Sequence, residues 1–252
     1  MLFLIRATTN QSTGGYMMNQ PFNEHSIISE IVTEFPKASD LFKTYRIDFC
    51  CGGNRPLIEA VTERNLSIDE VLTNLTTLYE QTNLLNEAAI DWKKASSSEL
   101  IDHIVSKHHR FLREELPLLS PYVTKVRRVH GENNPHLVRI HKLFFELKAE
   151  LENHIHKEEN EDFKLILEYE QQPTDENYQK LTAIVAELES EHQNAGDILK
   201  ELRDITNDFT PPSNACGTYR LVYHRLCALE ADMFQHIHLE NNILFKRAIK
   251  LA

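Results

Sequence analysis

The sequence predicts an all-α protein, a small helical N-terminal domain followed by an antiparallel up-and-down four-helix bundle. Three observations predict it. Only 7 of 252 residues are Gly and 9 are Pro, about half the ordinary share of roughly 12%. From Ser98 onward the apolar residues recur at alternating spacings of three and four, the core face of a bundled helix. Three turn signals, at 131–135, 172–175 and 210–214, cut that region into four long pieces. Four such helices with short connections close as a bundle.

Composition removes other classes. A formal charge of −11 is a poor match for phosphate backbones, so no nucleic-acid partner is expected. Neither G-x-G-x-x-G nor G-x-x-x-x-G-K-[ST] occurs, which weakens nucleotide-fold readings. No apolar run reaches the ~18 residues of a membrane span, so no membrane partner is expected. Residues 1–22 read as a disordered tail. Their apolar patch, Leu2 to Ile5, ends at Arg6 and is shorter than a signal-peptide core of about 7–15 residues. Met17 and Met18 offer later starts. Four cysteines do not make a disulfide framework, and a cytoplasmic, reducing location is expected.

The elements follow in order. Residues 23–80 read as the small domain. Pro36 opens a helix through Phe42, and 48–54 (Asp-Phe-Cys-Cys-Gly-Gly-Asn) is a turn by composition. Helices are expected over 56–64 and 67–80, the second with Ser67 and Glu70 as a capping box. Residues 81–97 lack a clean period and read as a linker, and 98–252 as the bundle. The first bundle stripe runs from Val105 through His109, Leu112, Leu116, Leu119, Val123 and Val126 to His130, with Pro117 and Pro121 expected to kink it. The second runs from Leu137 to Glu158, the third from Leu181 to Leu202, the fourth from Val222 to Ile243.

Polar residues interrupt those stripes. His109, His154, Glu158, His192, His236 and Glu240 all take core positions, where ionisable groups are costly unless paired or bound to metal. Their heights agree. In an antiparallel pair, level residues are equidistant from the turn. His109 and His154 have their midpoint at 131.5, Glu158 and His192 at 175, His192 and His236 at 214, each beside a turn. The six therefore fall in one layer. His154–Glu158 and His236–Glu240 are both H-x-x-x-E, which puts each pair on one helix face. Two carboxylates can bridge two metal ions while imidazoles cap them. A donor set of His and carboxylate without thiolate suits iron, manganese or zinc, and bundle cores are where carboxylate-bridged pairs occur. An isolated His on an apolar face is ordinarily a satisfied core residue; six agreeing in stripe, height and spacing point to a shared ligand.

The same test sets other residues aside. His103, His108, His141, His156, His224 and His238 lie off the stripes and are expected at the surface, and His25 lies outside the bundle. Glu159 rotates ~100° away from Glu158. His130 is on the stripe, but it is 21 residues from His109, ~31 Å along a straight helix.

These residues resemble a family. The bundle is similar to hemerythrin-like di-iron domains. The first segment, with Phe35-Pro36-Lys37-Ala38 and the run from Tyr45 through Cys50-Cys51 to Gly53, resembles the N-terminal domain of the iron–sulfur cluster repair di-iron proteins, the ScdA or RIC family. Further matches are Ile101-Asp102-His103-Ile104, Thr124-Lys125-Val126, Lys157-Glu158-Glu159, Glu189-Ser190-Glu191-His192 and Leu239-Glu240-Asn241-Asn242. The resemblance spans about 25–251.

It implies repair or protection of iron–sulfur clusters damaged by nitric oxide or oxidants. It also implies a non-haem di-iron centre on His109, His154, Glu158, His192, His236 and Glu240. The implied partners are damaged iron–sulfur proteins, with nitric oxide or oxygen as small ligands; a homodimer is compatible with it. The alternative is a hemerythrin-like module that binds or senses oxygen or nitric oxide. Oxygen-carrying hemerythrins have H-x-x-x-H on the third helix, whereas Gly196 stands four residues after His192 here. The resemblance matches Cys50-Cys51 to a vicinal pair with a functional role. A bond between adjacent cysteines is strained and easily reduced, and Gly52-Gly53 is expected to leave the turn permissive and exposed. Cys216 and Cys227 read as ordinary small residues.

Overall fold

The structure, a computed structural model, describes residues 21–84 and 90–250. The expected tail lies outside the described residues as far as residue 20. Its end is corrected: Phe22 is buried, edge-on to Tyr79 with ring centroids 5.9 Å apart. The N-terminal unit has four helices, α1 (Ile28–Glu34), α2 (Ala38–Thr44), α3 (Leu57–Glu63) and α4 (Ile68–Leu84). Pro56 is the N-cap of α3, where its missing N–H costs nothing. Helix α4 runs four residues past the expected end at 80, so the expected linker begins inside a helix. The chain re-enters helix at Ser97, behind a capping box of Ser96 and Glu99.

Four legs form the bundle. The first is α5 (Ser97–His103), a π-helical turn (Ile104–His109) and α6 (Arg110–His130). The second is α7 (His136–Lys157), a π-helical turn (Glu158–Asp162) and α8 (Phe163–Gln171). The third, α9 (Asp175–Ile205), is unbroken and opens with Thr174 accepting the Asn177 N–H. The fourth is α10 (Gly217–Leu239), a π-helical turn (Glu240–Leu244) and α11 (Phe245–Lys250). Helix α6 packs on α7 and α10, and α9 packs on the same two, closing the ring. Helix α6 continues unbroken through Pro117 and Pro121; that leg departs from α-geometry before them, in the π-turn. Among the described residues there is no strand, only a single bridge between Ile27 and Pro56.

The apolar core comes in two parts. One holds Leu112 to Val126, Leu137 to Leu151, Ala195 to Leu202 and Val222 to Met233 from the four legs. The other holds Leu100 to Ile104, Phe163 to Tyr169, Leu181 to Leu188 and Ile243 to Ala248. The six polar residues singled out in the sequence lie between the two parts on every leg.

The N-terminal unit shares the larger part rather than enclosing a core of its own. Phe49 meets Phe234 edge-on, and Asn242 Nδ2 donates to the Cys50 carbonyl at 2.9 Å. Lys200 Nζ reaches Asp48 Oδ2 at 2.7 Å, and Arg46 pairs with Asp204 and Asp208. The 48–54 turn is thereby pressed onto α9 and α10.

Candidate metal centre

All six predicted residues meet in one layer. His109, Glu158, His192, His236 and Glu240 are no more than 1% exposed and His154 is 6% exposed. They make two clusters of four that share both carboxylates: His109, Glu158, His236 and Glu240 on one side, His154, Glu158, His192 and Glu240 on the other, with ligand atoms within 4.8 Å of one another. Glu158 Oε2 is 3.3 Å from both His109 Nε2 and His154 Nε2. Glu240 approaches His236 Nε2 at 3.0 Å and His192 Nε2 at 3.2 Å.

Local geometry explains the convergence. Glu158 and Glu240 each open a π-helical turn, and His109 closes one. A π-turn adds a residue to the helical circuit and occurs frequently at functional sites. Here it lets the first, second and fourth legs present side chains inward without breaking the helix.

On three of the four imidazoles the outer ring nitrogen fixes the tautomer. His109 Nδ1 is 2.7 Å from Glu159 Oε1, His154 Nδ1 is 2.6 Å from Glu191 Oε2, and His192 Nδ1 is 2.7 Å from Asn241 Oδ1. These partners are acceptors, so each Nδ1–H donates and each Nε2 lone pair turns inward. His154 and His192 then face one another Nε2 to Nε2 at 3.1 Å, and His109 Nε2 meets His236 Nε2 at the same distance. The lone pairs of His154 and His192 cannot face at that distance without a cation between or beside them. The donor set and the facing lone pairs therefore fit metal ions.

Without metal, protons take that role. Burial lowers the His109 and His154 pKa, but Glu158 and the outer carboxylates outweigh it, raising the first and lifting the second well above its ordinary value. Burial alone would raise the Glu158 pKa, and Glu240 adds repulsion; the flanking imidazoles still bring it down to about 2. Glu240 is likewise held well below the carboxylate range by His236 and His192 against its own burial. Two carboxylates at 0% exposure would each cost several kcal/mol if left uncompensated.

Several histidines set aside in the sequence are placed differently. His108 is buried, stacked on His236 and bonded to Asp232 at 2.9 Å, because the π-turn rotates it inward. His238 is buried by the N-terminal unit, between Thr33 Oγ1 at 3.2 Å and the Phe49 carbonyl at 3.3 Å. His156 and His224 are exposed as expected. His130 lies at the far end of the bundle, 3.3 Å from Cys216 Sγ. Glu159 turns back to hold His109, a role its phase in a regular helix does not reveal; Glu191 and Asn241 were missed as orienting residues, although both adjoin a predicted ligand in sequence.

The cysteine turn is corrected from exposed to covered. Cys50 is 3% exposed and Cys51 half-buried, and both are free thiols. Asp48 Oδ1 accepts the N–H groups of Cys50 and Cys51 at 3.1 Å each. A Cβ at Gly53 would stand 2.3 Å from the Phe49 carbonyl oxygen, so the turn needs glycine there. The neighbouring Cys51 sulfur, burial and Asp48 all push the Cys50 thiol well above its usual pKa. Cys51 Sγ is 3.6 Å from the His192 carbonyl oxygen.

A cavity of about 600 Å³ opens on His154 and His192, walled by Glu150, Asn153, Glu191 and Asn194. No helix among the described residues is long and apolar enough to cross a membrane.

Comparison with known proteins agrees along the chain. Residues 24–79 match the ScdA N-terminal domain of unknown function, DUF542, and 100–248 match the hemerythrin HHE cation-binding domain. The iron–sulfur cluster repair protein ScdA of Staphylococcus haemolyticus is 37% identical over 88% of this chain and 97% of its own length. ScdA of Staphylococcus epidermidis is 35% identical over 89% and 98%. The iron–sulfur cluster repair protein YtfE of Escherichia coli O81 is 36% identical over 88% and 96%. A buried His/Glu layer in a four-helix bundle, capped by a vicinal-cysteine unit and matched over 88–89% of the chain by these relatives, places the chain in the ScdA/YtfE family of iron–sulfur cluster repair proteins.

Proposed function

We propose that this chain repairs iron–sulfur clusters damaged by nitric oxide or oxidants, working in the cytoplasm on damaged iron–sulfur proteins. A non-haem di-iron centre would be held by His109, His154, Glu158, His192, His236 and Glu240. The observation that carries this reading is the pair of four-residue clusters sharing both carboxylates, in a chain that two named repair proteins match over 88% of its length.

Iron bound there supplies redox chemistry and open positions for a small ligand such as nitric oxide or oxygen. The chain does the rest. Glu159 and Glu191 keep the Nδ1 protons of His109 and His154 in place, so their Nε2 lone pairs would be free to hold metal. Glu158 and Glu240 stay ionised, and as members of both clusters they would offer negative charge to each ion. The cavity over His154 and His192 gives a polar path from solvent to one side of the layer. Cys50 keeps its proton at neutral pH, while Cys51 rests on the backbone of His192. Thiolates bind iron well and metal binding displaces the thiol proton, so this pair would supply soft ligands at the wall of the centre.

The test is recovery of a nitric-oxide-inactivated iron–sulfur enzyme by the iron-loaded full chain, the metal-free chain and the Cys50→Ala/Cys51→Ala double variant. The loaded chain restores activity, the metal-free chain does not, and the double variant loads iron but restores less. Recovery no better than that given by a matched amount of iron salt would overturn the proposal.

A further inference from the structure

Three of the four imidazoles in the layer have a protein acceptor on Nδ1. The fourth, His236, has a buried Nδ1 without one. Two more buried atoms without partners belong to neighbouring residues, His108 Nε2 and Asp232 Oδ2. The His108 ring lies parallel to His236, 7° between planes and 5.5 Å between centroids. Its Nδ1 is 2.9 Å from Asp232 Oδ1, and Asp232 stands four residues before His236, on the same helix face. Two hydrogen bonds through one water reach ~4.5–5.5 Å, and both unpartnered imidazole nitrogens belong to this stacked pair of rings. A cavity of about 200 Å³, lined by His103, Lys107, His108, Gln235 and His238 among others, reaches the His108 side of this pair and is roomy enough for water.

We infer that His108 and Asp232 form a positioning dyad for His236, joined to it by a single buried water. The hydrogen directions close. With a metal ion on its Nε2, which faces Glu240 and His109, His236 would carry its proton on Nδ1 and donate it to the water. The water donates to His108 Nε2, which is a lone pair because His108 Nδ1–H donates to Asp232. An aromatic ring that only filled space here would need neither nitrogen, and a buried imidazole without the water leaves one nitrogen unpaired at a cost of about 1–3 kcal/mol. The dyad serves the cluster of His109, Glu158, His236 and Glu240. The other cluster has direct orienting partners on both its imidazoles. The two metal positions are therefore unequal in their support.

This inference rests on the metal-centre reading, and the experiment separates the two. The full chain is loaded anaerobically with iron(II) as wild type, His108→Phe, His108→Gln and Asp232→Ala. Iron release to a competing chelator and the Mössbauer spectrum are then measured. His108→Phe keeps the stacked ring and removes both nitrogens. It and Asp232→Ala release one of the two irons about 10–100-fold more readily, the usual effect of losing an orienting partner, and shift one of the two iron signals. His108→Gln, whose amide oxygen accepts from the same water, recovers part of the loss. His108→Phe with wild-type release and both wild-type signals would overturn the dyad. Should His108→Phe fail to fold, Asp232→Ala decides, since unchanged release there overturns it equally. A wild-type chain that takes up no iron pair would overturn the metal-centre reading itself.

Discussion

Cys51 lies over Gly196, one helical turn beyond His192. Its Sγ is 3.6 Å from the His192 carbonyl oxygen and 3.6 Å from where a Cβ at position 196 would stand. Oxygen-carrying hemerythrins have a histidine at the position matching Gly196. Here the thiol of a separate N-terminal unit takes that side of the wall. The missing ligand and the vicinal cysteines are thus two aspects of one packing arrangement.

Gly196→His should expel Cys51 from this contact. The expected outcome is faster alkylation of Cys51 and then Cys50 in the folded protein, with a loss of about 1–3 kcal/mol in stability, as overpacking commonly costs. Alkylation rates equal to wild type would show that Gly196 does not hold the cysteine turn in place.

The ligand set is open to direct substitution. Alanine at His109, His154, His192 or His236 should lower iron content, whereas His156→Ala, on the exposed face, should leave it unchanged. Glu158→Ala and Glu240→Ala should cost more than any single histidine, because each carboxylate belongs to both clusters. Metal analysis after reconstitution checks this. Full iron retention by Glu158→Ala would remove the shared-carboxylate geometry.

The metal-free chain should have a characteristic pH profile. Imidazoles raised above 6.5, as His109 and His154 are, contribute stability that is complete below that value. It is lost as pH rises through their higher folded pKa. Glu158 and Glu240, depressed below 4.5, contribute above that value and lose it as pH falls. His236 and His238, whose pKa values burial lowers, oppose folding only below 6.5, so the mark of His109 and His154 is a decline in the thermal stability of the metal-free chain as pH rises past 6.5. Bound iron should abolish that decline by replacing the protons, while its own affinity falls in acid. A metal-free melting temperature that is flat from neutral to alkaline pH would contradict the electrostatic account.

Asp162, one turn after Glu158, has both carboxylate oxygens buried without a hydrogen-bond partner, and burial raises its pKa to about 6. Its charged form opposes folding as pH rises from the ordinary aspartate range through 6. Asp162→Asn should stabilise the metal-free chain at pH 8 by about 1–3 kcal/mol, the cost of an unsatisfied buried group, raising its melting temperature, and have less effect at pH 5. Destabilisation at both pH values would show that Asp162 has a partner it depends on.

Much of this was legible in the sequence because the information is periodic. The 3/4 stripes placed all four legs, and turn midpoints placed six residues in one layer, since both follow from helix geometry alone. Phase arguments failed at the π-turns. His108 was assigned to the surface by counting regular turns, and the extra residue at 104–109 turns it inward. His238 was misplaced for another reason. The N-terminal unit covers it through Thr33 and Phe49, and no bundle periodicity reports a contact 189 or 205 residues away. The cysteine turn was read as exposed for the same reason: Gly52-Gly53 encodes a permissive turn, while Asp48, Lys200 and Asn242 bury it.

The central claim is that two iron ions share Glu158 and Glu240 inside the bundle. Iron content together with low-temperature Mössbauer spectroscopy of the loaded full chain tests it most directly. The account predicts two irons per chain whose spins are coupled, and loss of that coupling in Glu158→Ala. One uncoupled iron per chain, or a coupled pair that survives removal of Glu158, would contradict it.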